Sequence, residues 1–184
     1  MEDTTTVHTV TLNQPHECYC VPEGTNAARF INDFSTNGGV QNITNLGTGF
    51  SPGGYGDYSM NGVSQIINET INFTANTIGG STGFRIWVDW NQNGVFDDNE
   101  VAYQSTSYAG SHSGSFVVPI TALEGETRMR IVSHWGSSTA NVSPCQTGFT
   151  NGEFEDYMFE VIPIPDCSTL TTPNAWTAVV DMDS

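Results

Sequence analysis

The sequence predicts an all-β protein, an antiparallel β-sandwich of jelly-roll or immunoglobulin-like type. Three observations carry that prediction. Apolar and polar residues alternate with period two along much of the chain. Clusters of Gly, Asn, Ser, Thr and Pro break these runs at short intervals. Helical spacing fails throughout, apart from one possible short turn in "TNAARFINDF".

Taken in order, residues 1–14 are polar and Thr-rich, a linker or an edge strand through "VHTVTL". "ARFINDFSTN" and "VQNITNL" read as two strands around the Asn37-Gly38-Gly39 turn. "GTGFSPGGYGDYSM" is a Gly-rich loop feeding a strand, and "SQIINETINFTAN" alternates as one strand. In "GFRIWVDW", Phe84, Ile86, Val88 and Trp90 fall on one face. "EVAYQSTS", "GSFVVPI" and "TRMRIVSHW" are further strands, the last with Met129, Ile131 and Ser133 opposite Arg128, Arg130 and Val132; "GSHSGS" reads as a turn. "EFEDYMFEVIPI" sets Tyr157, Phe159 and Val161 on one face. The sandwich domain is thus expected over residues 15–164. The Pro-punctuated residues 165–184 are read as a linker and the start of a following domain.

Composition excludes several functions. The 184 residues carry 20 acidic side chains against four arginines (Arg29, Arg85, Arg128, Arg130), a net charge of −16. Such a surface repels nucleic-acid phosphates and anionic membranes, and it attracts divalent cations. No apolar run approaches the roughly 20 residues of a membrane-spanning helix. The first residues show no signal peptide, so the expectation is a mature or excised part of an exported protein. Cys18, Cys20, Cys145 and Cys167 lack the paired spacing of a zinc site, and disulfides in an oxidising, extracellular setting are favoured over a soft-metal site.

The most specific motif is "DWNQNGVFDDNE", residues 89–100. Asp89, Asn91, Asn93, the carbonyl of Val95, Asp97 and Glu100 occupy positions 1, 3, 5, 7, 9 and 12 of an EF-hand calcium loop, with Gly94 at position 6. Calcium takes six to eight hard oxygens, and alternate residues of a tight turn can present them inward. Phe96, at position 8, is expected to pack beneath the loop. The flanking stretches read as strands, so no helix pair exists to open, and the loop is read as a structural staple rather than a sensor. Two neutral Asn ligands place its affinity at the weak end, where extracellular modules work.

Asp57, Glu153, Glu155 and Asp156 form two further acidic patches, read as solvated strand edges or a second cation site. Paired carboxylates can run glycoside hydrolysis, but no spacing here points to it. The four histidines lie in no catalytic context and no G-x-S-x-G occurs, so an enzyme is not expected.

Together these motifs resemble the GEVED domain family of secreted bacterial proteins. "GEFEDY", residues 152–157, is similar to the family signature, and Tyr19-Cys20, "YGDY" (55–58), "WVDWNQNGVFDDNE" (87–100), "VPITALEGETRMRI" (118–131) and Pro144-Cys145 resemble its other segments in order. Phe154 stands where the signature has Val, and Asn93 where Asp is usual. The resemblance implies a β-rich module in large exported proteins, many from Bacteroidota, including adhesins, and it supplies no catalytic residue. It implies a Cys20–Cys145 disulfide, with Cys18 paired to Cys167 or Cys167 paired within a following domain. The reading is therefore a calcium-stabilised extracellular module with a structural or adhesive role, its partners neighbouring domains or further copies. The alternative is a carbohydrate- or protein-binding module using Trp87, Trp135 and Tyr108 as an exposed aromatic face.

Overall fold

The computed structural model describes residues 19–136, 138 and 140–164. The expected linkers at 1–14 and 165–184, and Cys18 and Cys167, lie outside the described residues. Among the described residues there are eleven strands: β1 (Glu23–Gly24), β2 (Phe30–Asn37), β3 (Thr44–Leu46), β4 (Tyr55–Ile66), β5 (Thr70–Ile78), β6 (Gly83–Val88), β7 (Val101–Gln104), β8 (Ser111–Val117), β9 (Gly125–His134), β10 (Thr147–Phe149) and β11 (Gly152–Ile162).

They form a five-stranded sheet, β4-β11-β9-β6-β7, facing a four-stranded sheet, β3-β2-β5-β8, plus a small parallel pair, β1-β10. Both large sheets are antiparallel except at β4, which runs parallel to β11. The all-β sandwich is as predicted, with this parallel edge added.

Alternation along the strands builds the main core. Phe84, Ile86 and Val88 from β6, Met129 and Ile131 from β9, and Tyr157, Phe159 and Val161 from β11 meet Ile31, Phe34, Ile71, Phe73 and Phe116 of the opposite sheet. Phe34 lies at the centre, with ring centroids 5.1 Å from Tyr157, 6.3 Å from Phe73 and 6.4 Å from Phe84. Aromatic contacts of this kind add about 0.5–1.5 kcal/mol each beyond the area they bury.

A second core lies on the outer face of the five-stranded sheet. Trp87, Val132 and Phe154 project there and are covered by Phe96, Ala140, Val142 and Phe149, with Tyr19 and Tyr55 at the margin. The segment between β9 and β11 thus acts as a third layer. The Cys20–Cys145 disulfide ties it to the N-terminal stretch across 125 residues. In the chain-entropy account, closing a loop of that length stabilises the fold by roughly 5 kcal/mol.

Three sequence expectations need correction. "SQIINETINFTAN" is two strands, not one: Glu69 N–H bonds the Ile66 carbonyl (3.1 Å) and Asn68 turns at φ +68° between β4 and β5. Alternation alone cannot mark such a tight turn, because both arms keep apolar residues on the core side. "GSHSGS" is no turn but most of β8, paired with β5, where His112 stacks on Phe84 at 5.2 Å. Trp87 is not an exposed aromatic: it is 2% accessible, because the third layer covers it.

Replacing Phe34 by Ala should cost about 3–5 kcal/mol. The urea unfolding midpoint measures this, with the slope unchanged if folding stays two-state.

Candidate functional site

The loop 89–100 connects β6 to β7 within one sheet. Its first residue is fixed from the strand side: Asp89 N–H bonds the Arg128 carbonyl (3.0 Å), and the Thr127 hydroxyl donates to the Asp89 carbonyl (2.6 Å). Asp89 is fully buried. Its Oδ1 accepts the Asn93 amide (3.2 Å), and its Oδ2 accepts the Gly94 amide (2.9 Å) and the Tyr19 hydroxyl (2.5 Å). Gly94 sits at φ +82°, a conformation that carries little steric cost only without a Cβ.

The other candidate ligands converge on the same turn. Asn91 Oδ1 accepts the Asn93 amide (3.0 Å), and Asn93 Oδ1 accepts the Val95 amide (2.8 Å). Both Asn side-chain amides reach Asp97 Oδ2, at 3.3 and 3.2 Å. Glu100 closes the ring, its oxygens accepting the Asn91 (3.2 Å) and Asp97 (2.9 Å) amides. It lies in a short 3₁₀ turn, Asp98–Glu100, whose Asp97 cap and Glu100 bond reciprocally.

These residues therefore share one turn, as their spacing predicts. Burial, reinforced by the charges of Asp89 and Asp97, raises the Glu100 pKa against the lowering effect of its amide bonds. Hard oxygens with three carboxylates fit a calcium ion, which would relieve that repulsion. Among the described residues no three His, Cys, Asp or Glu side chains approach closely enough to hold a metal on their own. A cation here would need the Asn oxygens and a backbone carbonyl to complete its shell. Phe96 packs under the loop, 5% accessible, in contact with Tyr19 at 5.2 Å.

The four residues of the second acidic patch do not gather. Alternation sends Asp156 to the outer face of β11 and Glu153 and Glu155 to the inner face. Asp156 is fully buried and receives Arg130 Nε (2.6 Å) and Nη2 (2.7 Å), Arg128 Nη1 (3.2 Å) and the Tyr55 hydroxyl (2.9 Å). Asp57 joins this group through Arg128 at 3.8 Å. Arg130 also donates to the Cys20 (2.9 Å) and Pro144 (2.6 Å) carbonyls and stacks over Phe96 at 4.8 Å. The outer pair is thus an ion-pair anchor beneath the disulfide.

The inner pair is a clamp between sheets. Glu153 accepts the Ile31 amide of β2 (2.9 Å) and the Ser51 amide (2.7 Å). Glu155 accepts the Tyr157 hydroxyl (2.8 Å), which itself takes a bond from Asn45 (3.0 Å). Burial pushes the Glu153 pKa up to about 7, and burial together with the Glu153 charge pushes Glu155 up to about 8.

Reading the sequence missed Tyr19, Thr127, Arg128 and Arg130 as site residues. Two of the four cations of a strongly acidic chain, spaced at i and i+2 on one strand face, were the available signal for the arginines. No local signal links Tyr19 to Asp89, 70 residues away.

Fold and site define a disulfide-clamped β-sandwich with an EF-hand-spaced loop joining two neighbouring strands. Residues 83–160, from β6 almost to the end of β11, match the family model of the GEVED domain. The match includes the loop and "GEFEDY"; Tyr19-Cys20 and "YGDY" lie outside it. Comparison with curated proteins and with solved structures found no match.

The inner carboxyls make stability pH-dependent. In the unfolded chain they lose their protons near pH 4.5, but in the fold they hold them to about 7 and 8. Between these limits the folded state binds more protons, so stability falls as pH rises. Urea midpoints measured from pH 4.5 to 9 should decline, and Glu155→Gln should flatten the upper part of that decline.

Proposed function

We propose that this chain is a calcium-stabilised module of a larger extracellular or cell-surface protein, with a structural or adhesive role and no catalytic one. The observation that carries the reading is the convergence of Asp89, Asn91, Asn93, Asp97 and Glu100 on one turn, with Asp89 and Glu100 buried. Buried carboxylates held by backbone amides still repel one another, and a divalent ion offsets that repulsion.

The flanks argue for a staple. The loop joins β6 to β7, which pair with each other, so the ion would lock a connection inside one sheet. Weak extracellular sites bind calcium at roughly 10⁻⁴ to 10⁻³ M, suited to millimolar surroundings. The clamping disulfide suits the same oxidising compartment. Partners in this reading are neighbouring domains or further copies, without nucleic acid or membrane insertion. Among the described residues no helix is long and apolar enough to cross a membrane.

A second reading, a carbohydrate- or protein-binding module, rests on a smaller patch than the sequence suggests. Trp135 and Tyr108 are 49% and 42% accessible, and the Tyr108 hydroxyl donates to the Trp135 carbonyl at 2.5 Å. Glycan-array or protein binding lost in Trp135→Ala but kept in Asp89→Ala would favour it.

Thermal melts with 2 mM calcium and with chelator test the main reading. For a dissociation constant of about 10⁻⁴ M, calcium should contribute roughly 2 kcal/mol, a rise in Tm of several degrees. Asp89→Ala and Glu100→Ala should abolish the rise. Superimposable melts of the parent protein would sink the calcium reading.

A further inference from the structure

We infer that Tyr19 is a positioning residue of the cation loop, and that the Cys20–Cys145 disulfide, one residue further on, holds it there. The inference rests on the calcium reading of the loop and names what prepares its first ligand.

Three contacts place Tyr19. Its hydroxyl donates to Asp89 Oδ2 at 2.5 Å and lies 3.5 Å from the Thr127 hydroxyl, while its ring packs on Phe96 at 5.2 Å with the Arg128 guanidinium 5.2 Å from its centroid. Asp89 Oδ2 also accepts the Gly94 amide, so its two lone pairs are engaged. Oδ1, bonded to the Asn93 amide, retains a lone pair for an ion. Tyr19 thereby selects which carboxylate oxygen meets the cation and fixes the carboxylate plane. The backbone of Asp89 is already held by Thr127 and Arg128, so the side-chain torsion is the remaining freedom.

Tyr19 in turn cannot drift. Cys20 is bonded to Cys145, its carbonyl takes Arg130 Nη2 (2.9 Å), and Arg130 is locked to Asp156. Phe96 touches both Tyr19 and Arg130, so the loop rests on the same anchor that holds the disulfide. A packing role alone would need only the ring; the hydroxyl reaches Asp89 and Thr127. Partners of this kind, one bond behind a metal ligand, typically change affinity 10–100-fold when removed.

Calorimetric titration of the whole protein with calcium chloride, alongside melts in chelator, separates the roles. Tyr19→Phe keeps the ring and should melt close to the parent in chelator. It should bind calcium at least about tenfold more weakly, with a smaller calcium-induced rise in Tm. The Cys20→Ser, Cys145→Ser double variant should also bind more weakly. Parent-like calcium affinity in Tyr19→Phe would overturn the positioning role while leaving the calcium reading intact, and parent-like affinity in the double variant would overturn the disulfide's part. Absence of calcium uptake by the parent protein would be a separate result, overturning the calcium reading and this inference together.

Discussion

The buried ion pair of Arg130 and Asp156 is the constraint on which the outer half of the molecule depends. Both groups are fully buried, and the guanidinium meets Asp156 through two nitrogens at 2.6 and 2.7 Å. Such a pair is tolerated in a dry interior only when its remaining donors and acceptors are satisfied. Here the Cys20 and Pro144 carbonyls and the Tyr55 hydroxyl do so. The same bonds pin both ends of the disulfide-linked segments to the sheet. Remove Arg130 and Asp156 loses its two-nitrogen partner, keeping only Arg128 and Tyr55, beneath a layer that has lost its anchor. The layer over Trp87 and the support of Phe96 under the acidic loop both follow from that contact.

A chain with a net charge of −16 must manage self-repulsion, and β11 does so by sorting its acids between faces. Asp156 points outward to two arginines. Glu153 and Glu155 point inward, where amides and hydroxyls bind them and burial favours their neutral forms. The acidic signature is therefore two structures. One is an ionic anchor for the third layer, the other a hydrogen-bonded clamp between the two main sheets. The loop 89–100 handles its charge in a third way, presenting carboxylates and amides around one turn.

Much of the fold was legible in the sequence, because strand alternation reports burial directly. Phe84, Ile86, Val88 and Trp90 do share the main core, as do Tyr157, Phe159 and Val161. The reading failed where alternation carries no information about pairing. The turn at Asn68 lies inside an unbroken pattern, and β8 hides in small polar residues because only His112 and Phe116 face inward. Trp87 looked solvent-facing because a sandwich has two faces, and nothing local announces a third layer.

The candidate site divides along the same line. By itself the sequence determined the loop: its alternate oxygen-bearing residues, its Gly94 turn and the strand-like flanks are all local, set by neighbours within twelve residues. It also determined the acidic balance and the alternation that builds the sandwich. Tertiary structure alone decided what surrounds these features: Tyr19 on Asp89, Arg130 between Asp156 and the disulfide, and the division of Glu153 and Glu155 from Asp156. Those contacts join residues tens of positions apart: the register of β9 against β11 sets Arg130 opposite Asp156, and the Cys20–Cys145 disulfide ties the Tyr19 stretch to the same face.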